Sequence, residues 1–380
     1  MNLSAGLVIG RVRGIEIRVH PSWLLIFALL AWTLSSDVFG DLRPRWSEEA
    51  RWAAGIGTTL VFFASVLIHE LSHAVVAQRY GMQVPSITLF IFGGVSNLSG
   101  EMKSAGQEFR VAVAGPLMSW LLALIFGAVW FPMRTADAAV IPQYLALINA
   151  ALGLFNLLPG FPLDGGRVLR AALWARSDDL LKATRVAART GTAVGYLMIV
   201  LGGVTIIAFR EFSGLWYVLI GLFLRSAAAG SYRTAYVESE LSDVVAADVM
   251  RPLPEPVLAS LSLQRFAEER LAIAPGALFL VEEGGVVVGL IAAAEVMAVP
   301  YDDRPSAPVS AHMAPVSEIV SVERDAPAVE VLVAMQNHDV HFVPVLDNGR
   351  VIGMVAHADL LRRAGIEGRS RGEDAAGGAG

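Results

Sequence analysis

The sequence predicts a polytopic α-helical membrane domain of about six spans, carrying a short membrane-associated β element, followed by a soluble α/β domain built from a duplicated unit. Three observations predict it. Apolar runs of membrane-spanning length recur through the first 236 residues and then stop. The charge balance changes sign at the same place: residues 1–236 carry 19 Lys+Arg against 13 Asp+Glu, and residues 237–380 carry 10 against 22. Within residues 245–365 one pattern occurs twice, with Asp248-Val249-Met250 matching Ala311-His312-Met313 and Gly289-Leu290-Ile291 matching Gly353-Met354-Val355.

Composition narrows the function classes. The 380 residues are 55% hydrophobic and 17% charged, against roughly 25% charged in soluble globular proteins, which excludes an ordinary cytosolic enzyme. With no cysteine, disulfides, Cys-ligated zinc, iron–sulfur centres and thiol catalysis are excluded, so any metal must be held by His, Asp or Glu. Nucleic acid is not an expected partner.

Six stretches read as spans: residues 21–36, 52–79, 108–131, 139–158, 190–209 and 213–229, since a hydrocarbon core of about 30 Å takes roughly 20 apolar helical residues. The first and last are short and read as tilted or partial spans. No small-residue cleavage site followed by a polar mature segment is found, so a removable signal peptide is not expected. Arg11, Arg13 and Arg18 precede the first span, and Arg167, Arg170, Arg176, Lys182, Arg185 and Arg189 fill the fourth-to-fifth loop. Arg134 stands alone in the third-to-fourth loop, and Arg210 sits beside Glu211 in the fifth-to-sixth. The Lys/Arg rule therefore expects both termini and the soluble domain in the cytoplasm of a multi-pass cell-membrane protein. The loop before the second span mixes Arg43, Arg45 and Arg51 with Asp37, Asp41, Glu48 and Glu49, and is ambiguous.

The second span ends in Ile68-His69-Glu70-Leu71-Ser72-His73. An H-E-x-x-H on a helix sets two imidazoles on one face within reach of one zinc ion, with a glutamate beside them. Chance supplies roughly 0.006 such matches in a chain of this length and composition, and three ionisable residues in an apolar span are costly unless they pair or bind something. A catalytic zinc usually has a third protein ligand. The best candidate is Asp164 in Asn156-Leu157-Leu158-Pro159-Gly160-Phe161-Pro162-Leu163-Asp164-Gly165-Gly166-Arg167, because the second and fourth spans run in the same direction and end at comparable depth. A helix-capping or turn aspartate is the competing reading. Pro159, Gly160 and Pro162 break the helix there.

The H-E-x-x-H, the distal motif ending in Asp164-Gly165-Gly166-Arg167, and Ala114-Gly115-Pro116-Leu117 between them resemble the site-2 protease family of intramembrane zinc metalloproteases. The resemblance covers about 230 residues. It implies one Zn2+ per chain on His69, His73 and Asp164, with Glu70 catalytic, and transmembrane protein substrates, among them membrane-bound regulators. It also implies that Asn156 positions the peptide or stabilises the oxyanion, against an alternative role bonding a neighbouring helix. Many relatives resemble Gly-Pro-x-x-Asn where this chain has Ser119, and helix packing is the expected role of Gly115 and Ser119. Zinc chemistry of this kind activates a water that Glu70 deprotonates. Residues 81–94, β-branched, aromatic and bounded by Gly, read as a strand. Its unpaired edge would hold an extended substrate by backbone bonds, or else it pairs only within its own hairpin.

The duplicated unit, about 245–300 and 308–365, resembles a tandem pair of cystathionine-β-synthase (CBS) domains, which implies pairing into a disc, a homodimer, and adenine nucleotides in the clefts. Ligand-binding units place Ser or Thr, then Asp, after the motif glycine. This chain has Ala292 with Glu295 and Ala356 with Asp359, so Asp359 is the one matching ligand residue, and a folding and dimerisation module is the alternative. His20, His338, His341 and His357 carry no ligand spacing. Residues 367–380, Gly/Ala-rich with mixed charge, are expected to be disordered. A CBS-gated transporter or channel using the intramembrane His and Asp as an ion path is the competing function, separated by Glu70, which only a peptidase requires.

Overall fold

The computed structural model describes residues 6–365 except 100–101, 212, 254, 274–278 and 339. The chain divides into two compact units, Met1–Arg233 and Thr234–Gly380. The tail expected to be disordered lies outside the described residues.

The first unit opens with a hairpin that the hydropathy reading passed over. Strands β1 (Leu7–Val12) and β2 (Ile15–Val19) pair antiparallel around Arg13-Gly14, both at positive φ (52° and 82°), as a two-residue turn requires. Among the described residues, six helices are long and apolar enough to cross a membrane. They are α1 (Ser22–Leu42), α2 (Glu48–Arg79), α3 (Ala105–Met133), α4 (Asp137–Asn156), and, after a short helix α5 (Asp164–Ser177), α6 (Leu180–Phe209) and α7 (Gly214–Leu241). They match the six predicted runs, five of them longer than predicted and the fourth shifted by two residues. α2 has 32 residues, about 48 Å at 1.5 Å per residue, so it projects beyond a 30 Å core. Serine caps begin both helices that frame the site: Ser47 Oγ accepts from the Ala50 N–H and Ser104 Oγ from the Gln107 N–H, both at 3.3 Å. The hydropathy reading assigned α5 to a basic loop, because its 14 residues, Arg167, Arg170 and Arg176 among them, are too few and too polar to register as a span.

Strands β3 (Gln83–Phe90) and β4 (Gly93–Ser99) follow α2 and complete a four-stranded sheet in the order β1-β2-β3-β4. β2 runs parallel to β3, from Glu16 against Ser86 to Val19 against Leu89. The predicted strand is thus paired on both sides, and the outer place falls to β4, its hairpin partner. The inner face of the sheet buries Ile15, Ile17, Val84 and Ile87 against Ala74 and Ala77 of α2 and Val111 of α3. At the hairpin tip Phe92 stacks on Phe223 of α7, centroids 4.3 Å apart. Through Ala74 and Ala77 the sheet is anchored on the last turns of α2, the helix that carries the H-E-x-x-H.

In the second unit, β5 (Val257–Leu258), β6 (Phe279–Glu283), β7 (Val286–Ile291) and β8 (Ala314–Pro315) form one sheet. β9 (Val322–Glu323), β10 (Phe342–Asp347) and β11 (Arg350–Ala356) form another. The duplication has a packing origin. Met313 lies against Gly289 and Met250 against Gly353, and a Cβ on either glycine would meet the methionine sulfur at 2.5 or 2.8 Å. The Met of one repeat thus sits on the Gly of the other. Residues Val237 to Val249 close the core around β10 and β11, while Val257 to Val309 form the other core.

Candidate metal centre and active site

His69 and His73, one turn apart on α2, are buried with their rings edge to face. Asp164 arrives from another element. The chain leaves α4 at Asn156, folds through Pro159–Pro162 with the Phe161 N–H on the Ala187 carbonyl of α6 (3.1 Å), and enters α5 at Asp164. Gly165 and Gly166 make this fold possible, since a Cβ on either would meet the Leu157 carbonyl or the Gly160 backbone at 2.2 to 2.3 Å. Asp164 Oδ2 then lies 3.2 Å from His69 Nε2 and 3.1 Å from His73 Nε2, and the two nitrogens are 3.3 Å apart.

The second nitrogen of each ring shows what these atoms are. His73 Nδ1–H donates to the Val111 carbonyl at 2.6 Å. A carbonyl only accepts, so Nδ1 carries a proton, and in the neutral imidazole Nε2 then presents a lone pair. His69 Nδ1 bonds Ser119 Oγ at 2.8 Å, which leaves its Nε2 facing the same point. With both rings neutral and protonated on Nδ1, two lone pairs and a carboxylate oxygen converge at about 3 Å, the electron-rich cluster that a metal cation binds. Ligand atoms roughly 2.0–2.1 Å from a tetrahedral zinc lie roughly 3.3 Å apart, which is the spacing found here. Among the described residues, His69, His73 and Asp164 are the one group of three metal-capable side chains brought together.

α3 frames this centre. Gly115 packs directly on the rings: a Cβ there would stand 2.2 Å from His73 Nε2 and 2.5 Å from His69 Nε2. Ser119 is fully buried and bonded to His69. Gly115 and Ser119, expected to serve helix packing, thus contact the candidate ligands themselves. The spacing Gly115-Pro116-x-x-Ser119 was the available signal, and its meaning depends on which face of α3 meets α2.

Glu70, next to His69 on α2, points toward β4. Its Oε2 accepts from Ser96 Oγ of β4 at 2.9 Å, and Gly94 lies so close that a Cβ would meet Glu70 Cγ at 2.5 Å. Ser96 and Gly94 carried no signal in the sequence, because strand register decides their neighbours. Glu70 and His69 open onto a cavity of about 350 Å³. Its walls are mostly apolar, from Ile26, Phe63, Ile148 and Phe223 among others, with Gly93 and Gly94 of β4 on one side and Asn156 on another.

In the second unit Asp359 is 7% exposed and its carboxylate is engaged. It accepts from the Ala356 N–H (3.3 Å), from Arg362 (3.3 Å) and from Arg251. Glu295 accepts from the Ala292 N–H at 2.9 Å, so the two equivalent carboxylates both cap the short helix that follows a strand. Burial, aided by the neighbouring His341 imidazole, holds His357 below the ordinary histidine range, which leaves it uncharged at neutral pH. His20 Nδ1 bonds Ser22 Oγ at 2.8 Å beside α1.

Comparison with known proteins places the chain in a family. The model of peptidase family M50 matches residues 57–140 and 132–202, and the CBS-domain model matches residues 309–365. A Synechocystis protein named as a zinc metalloprotease is 33% identical over 359 residues, covering 93% of this chain and 94% of its own length. A Mycobacterium tuberculosis protein of the same designation is 33% identical over 364 residues, covering 93% and 91%. A zinc metalloprotease of Methanocaldococcus jannaschii is 28% identical, covering 96% and 97%. A solved site-2 protease from that archaeon aligns with 60% of this chain and 95% of its own, at 27% identity and a TM-score of 0.43. With an H-E-x-x-H helix, six apolar helices and relatives of this likeness over almost its whole length, the chain belongs to the site-2 protease family, peptidase family M50, as a zinc-dependent intramembrane metalloprotease joined to CBS domains.

Proposed function

We propose that the chain holds one zinc ion on His69, His73 and Asp164 and hydrolyses peptide bonds in or near transmembrane segments of membrane-bound regulatory proteins, with Glu70 as general base and acid. The observation that carries this reading is the convergence of three ligand atoms at 3.1 to 3.3 Å beside a glutamate that opens onto the same apolar cavity. Zinc bound there supplies the Lewis acidity that activates a water and polarises the scissile carbonyl. The remaining work belongs to the chain. Glu70 takes the proton of the attacking water and delivers it to the leaving amine. Ser96 holds the carboxylate by one oxygen and leaves the other for the proton. The outer strand β4, whose Gly93 and Gly94 wall the cavity, offers backbone groups to an unwound substrate by strand addition. Asn156, which also lines the cavity, positions the peptide or its oxyanion.

The Lys/Arg bias supports cytoplasmic termini. Reporter fusions after residues 100, 180 and 237 are expected to report the cytoplasm, and a fusion after residue 135 the outside. An outside signal at 237 would refute this orientation. We assign the cytoplasmic CBS pair to regulation or dimerisation. A nucleotide would have to take Asp359 from Arg251, which favours the module without a ligand.

The test is reconstitution of the full chain in vesicles with zinc and a panel of helix-destabilised transmembrane peptides. Internal cleavage products that disappear with His73→Ala are expected. Asp164-dependent ion flux without any peptide product would overturn the protease reading in favour of transport.

A further inference from the structure

Asp164 owes its place to α5, and the 14 residues of α5 are too short and too charged for hydrophobic matching to the bilayer to set their depth. A specific contact has to do so. Glu108 of α3 is fully buried, and its Oε1 accepts from Nε of Arg170 on α5 at 2.6 Å and from a terminal nitrogen of the same guanidinium. The guanidinium also lies over the Phe161 ring, 5.0 Å from its centroid. Arg170 therefore grips both α3 and the loop through which the chain reaches Asp164.

We propose that the Glu108–Arg170 ion pair is a positioning latch for the metal centre, and that it sets how closely Asp164 approaches the two imidazoles without touching the metal. The proposal rests on the assignment of His69, His73 and Asp164 as the zinc site. Its geometry comes from one face of α3. Glu108, Val111, Gly115 and Ser119 recur at spacings of three and four, so they share that face. Val111 and Ser119 orient the rings of His73 and His69, and Glu108, one turn earlier, fixes α5. Asp164 and Arg170 are six residues apart on α5, about 9 Å along a rigid helix axis, so a shift at Arg170 is carried to Asp164. All three corners of the site are thereby referred to α3.

The chemistry argues for a role beyond adhesion. Helices in a membrane unit associate through small and apolar side chains, and an ion pair at a fully buried carboxylate is a costly substitute whose return is a defined geometry. Glu108 Oε2 has no hydrogen-bond partner among the described residues, so Arg170 carries the whole direct neutralisation of this group. Arg167, one turn from both Asp164 and Arg170, adds a positive charge within electrostatic range of Glu108, Asp164 and Glu70.

The experiment is zinc affinity by chelator competition on the full-length protein in detergent, for wild type, Glu108→Gln and Arg170→Lys, with melting curves of the metal-free and zinc-loaded forms. Glu108→Gln is expected to weaken zinc about 10- to 100-fold, the range for residues that support metal ligands, and to shrink the zinc-induced rise in melting temperature. Arg170→Lys keeps the charge but loses the fork that meets carboxylate and ring together, so it shifts affinity in the same direction by several-fold. Folded variants with zinc affinity within about twofold of wild type, or with only the metal-free form destabilised, would overturn the latch. If Glu108→Gln fails to accumulate as folded protein, Arg170→Lys decides by the same criteria. A wild-type protein without His73-dependent zinc would instead sink the site assignment itself.

Discussion

Glu70→Gln is expected to abolish peptide cleavage, by at least about 10²-fold and up to 10⁴-fold, the usual contribution of a positioned general base, while zinc content and fold stay as in wild type. The glutamine amide keeps the shape of the side chain, and its oxygen still accepts from Ser96 Oγ, the contact Glu70 makes at 2.9 Å. It cannot take a proton from water. Zinc should remain because the converging atoms belong to His69, His73 and Asp164, and Glu70 is not among them. Metal analysis and cleavage of a transmembrane peptide on the same preparation check both halves. Cleavage within a few-fold of wild type would remove Glu70 from the chemistry, and loss of zinc would make it a ligand.

The second large effect is expected at a residue with no chemistry of its own. Gly115→Ala should remove zinc and with it all measurable cleavage, because the added methyl would stand 2.2 Å from His73 Nε2 and 2.5 Å from His69 Nε2, far inside contact distance. These nitrogens face Asp164, and His73 is tied to the Val111 carbonyl and His69 to Ser119, so neither ring swings away without breaking its own bond. The helix itself should not suffer, since alanine favours helix over glycine by about 1 kcal/mol. A folded, thermally sound protein that holds no metal is the expected product, read by zinc analysis beside a melting curve. Stoichiometric zinc with normal cleavage in this variant would mean that α3 does not sit against the rings.

The most legible parts of this protein were those whose meaning is local. His69, Glu70 and His73 are set by the helical repeat alone, since residues four apart on any helix share a face. The six spans follow from length and apolarity, and the duplication from direct comparison of residues 245–365 with themselves. Asp164 was reachable because two spans running in the same direction must end at the same membrane surface. What the tertiary structure decided is rotation and register. α3 is apolar nearly all round, because lipid and protein interior are equally apolar solvents for a side chain, so nothing in its pattern says that Val111, Gly115 and Ser119 face α2 rather than the bilayer. β3 reads as a strand from its own residues, but its pairing with β2, seventy residues earlier, is a long-range choice that moved the outer edge, and with it Ser96 and Gly94 beside Glu70, onto β4. α5 escaped notice for the opposite reason. Its three arginines read as a cytoplasmic loop until Glu108, buried in a neighbouring helix, supplies the charge that holds one of them.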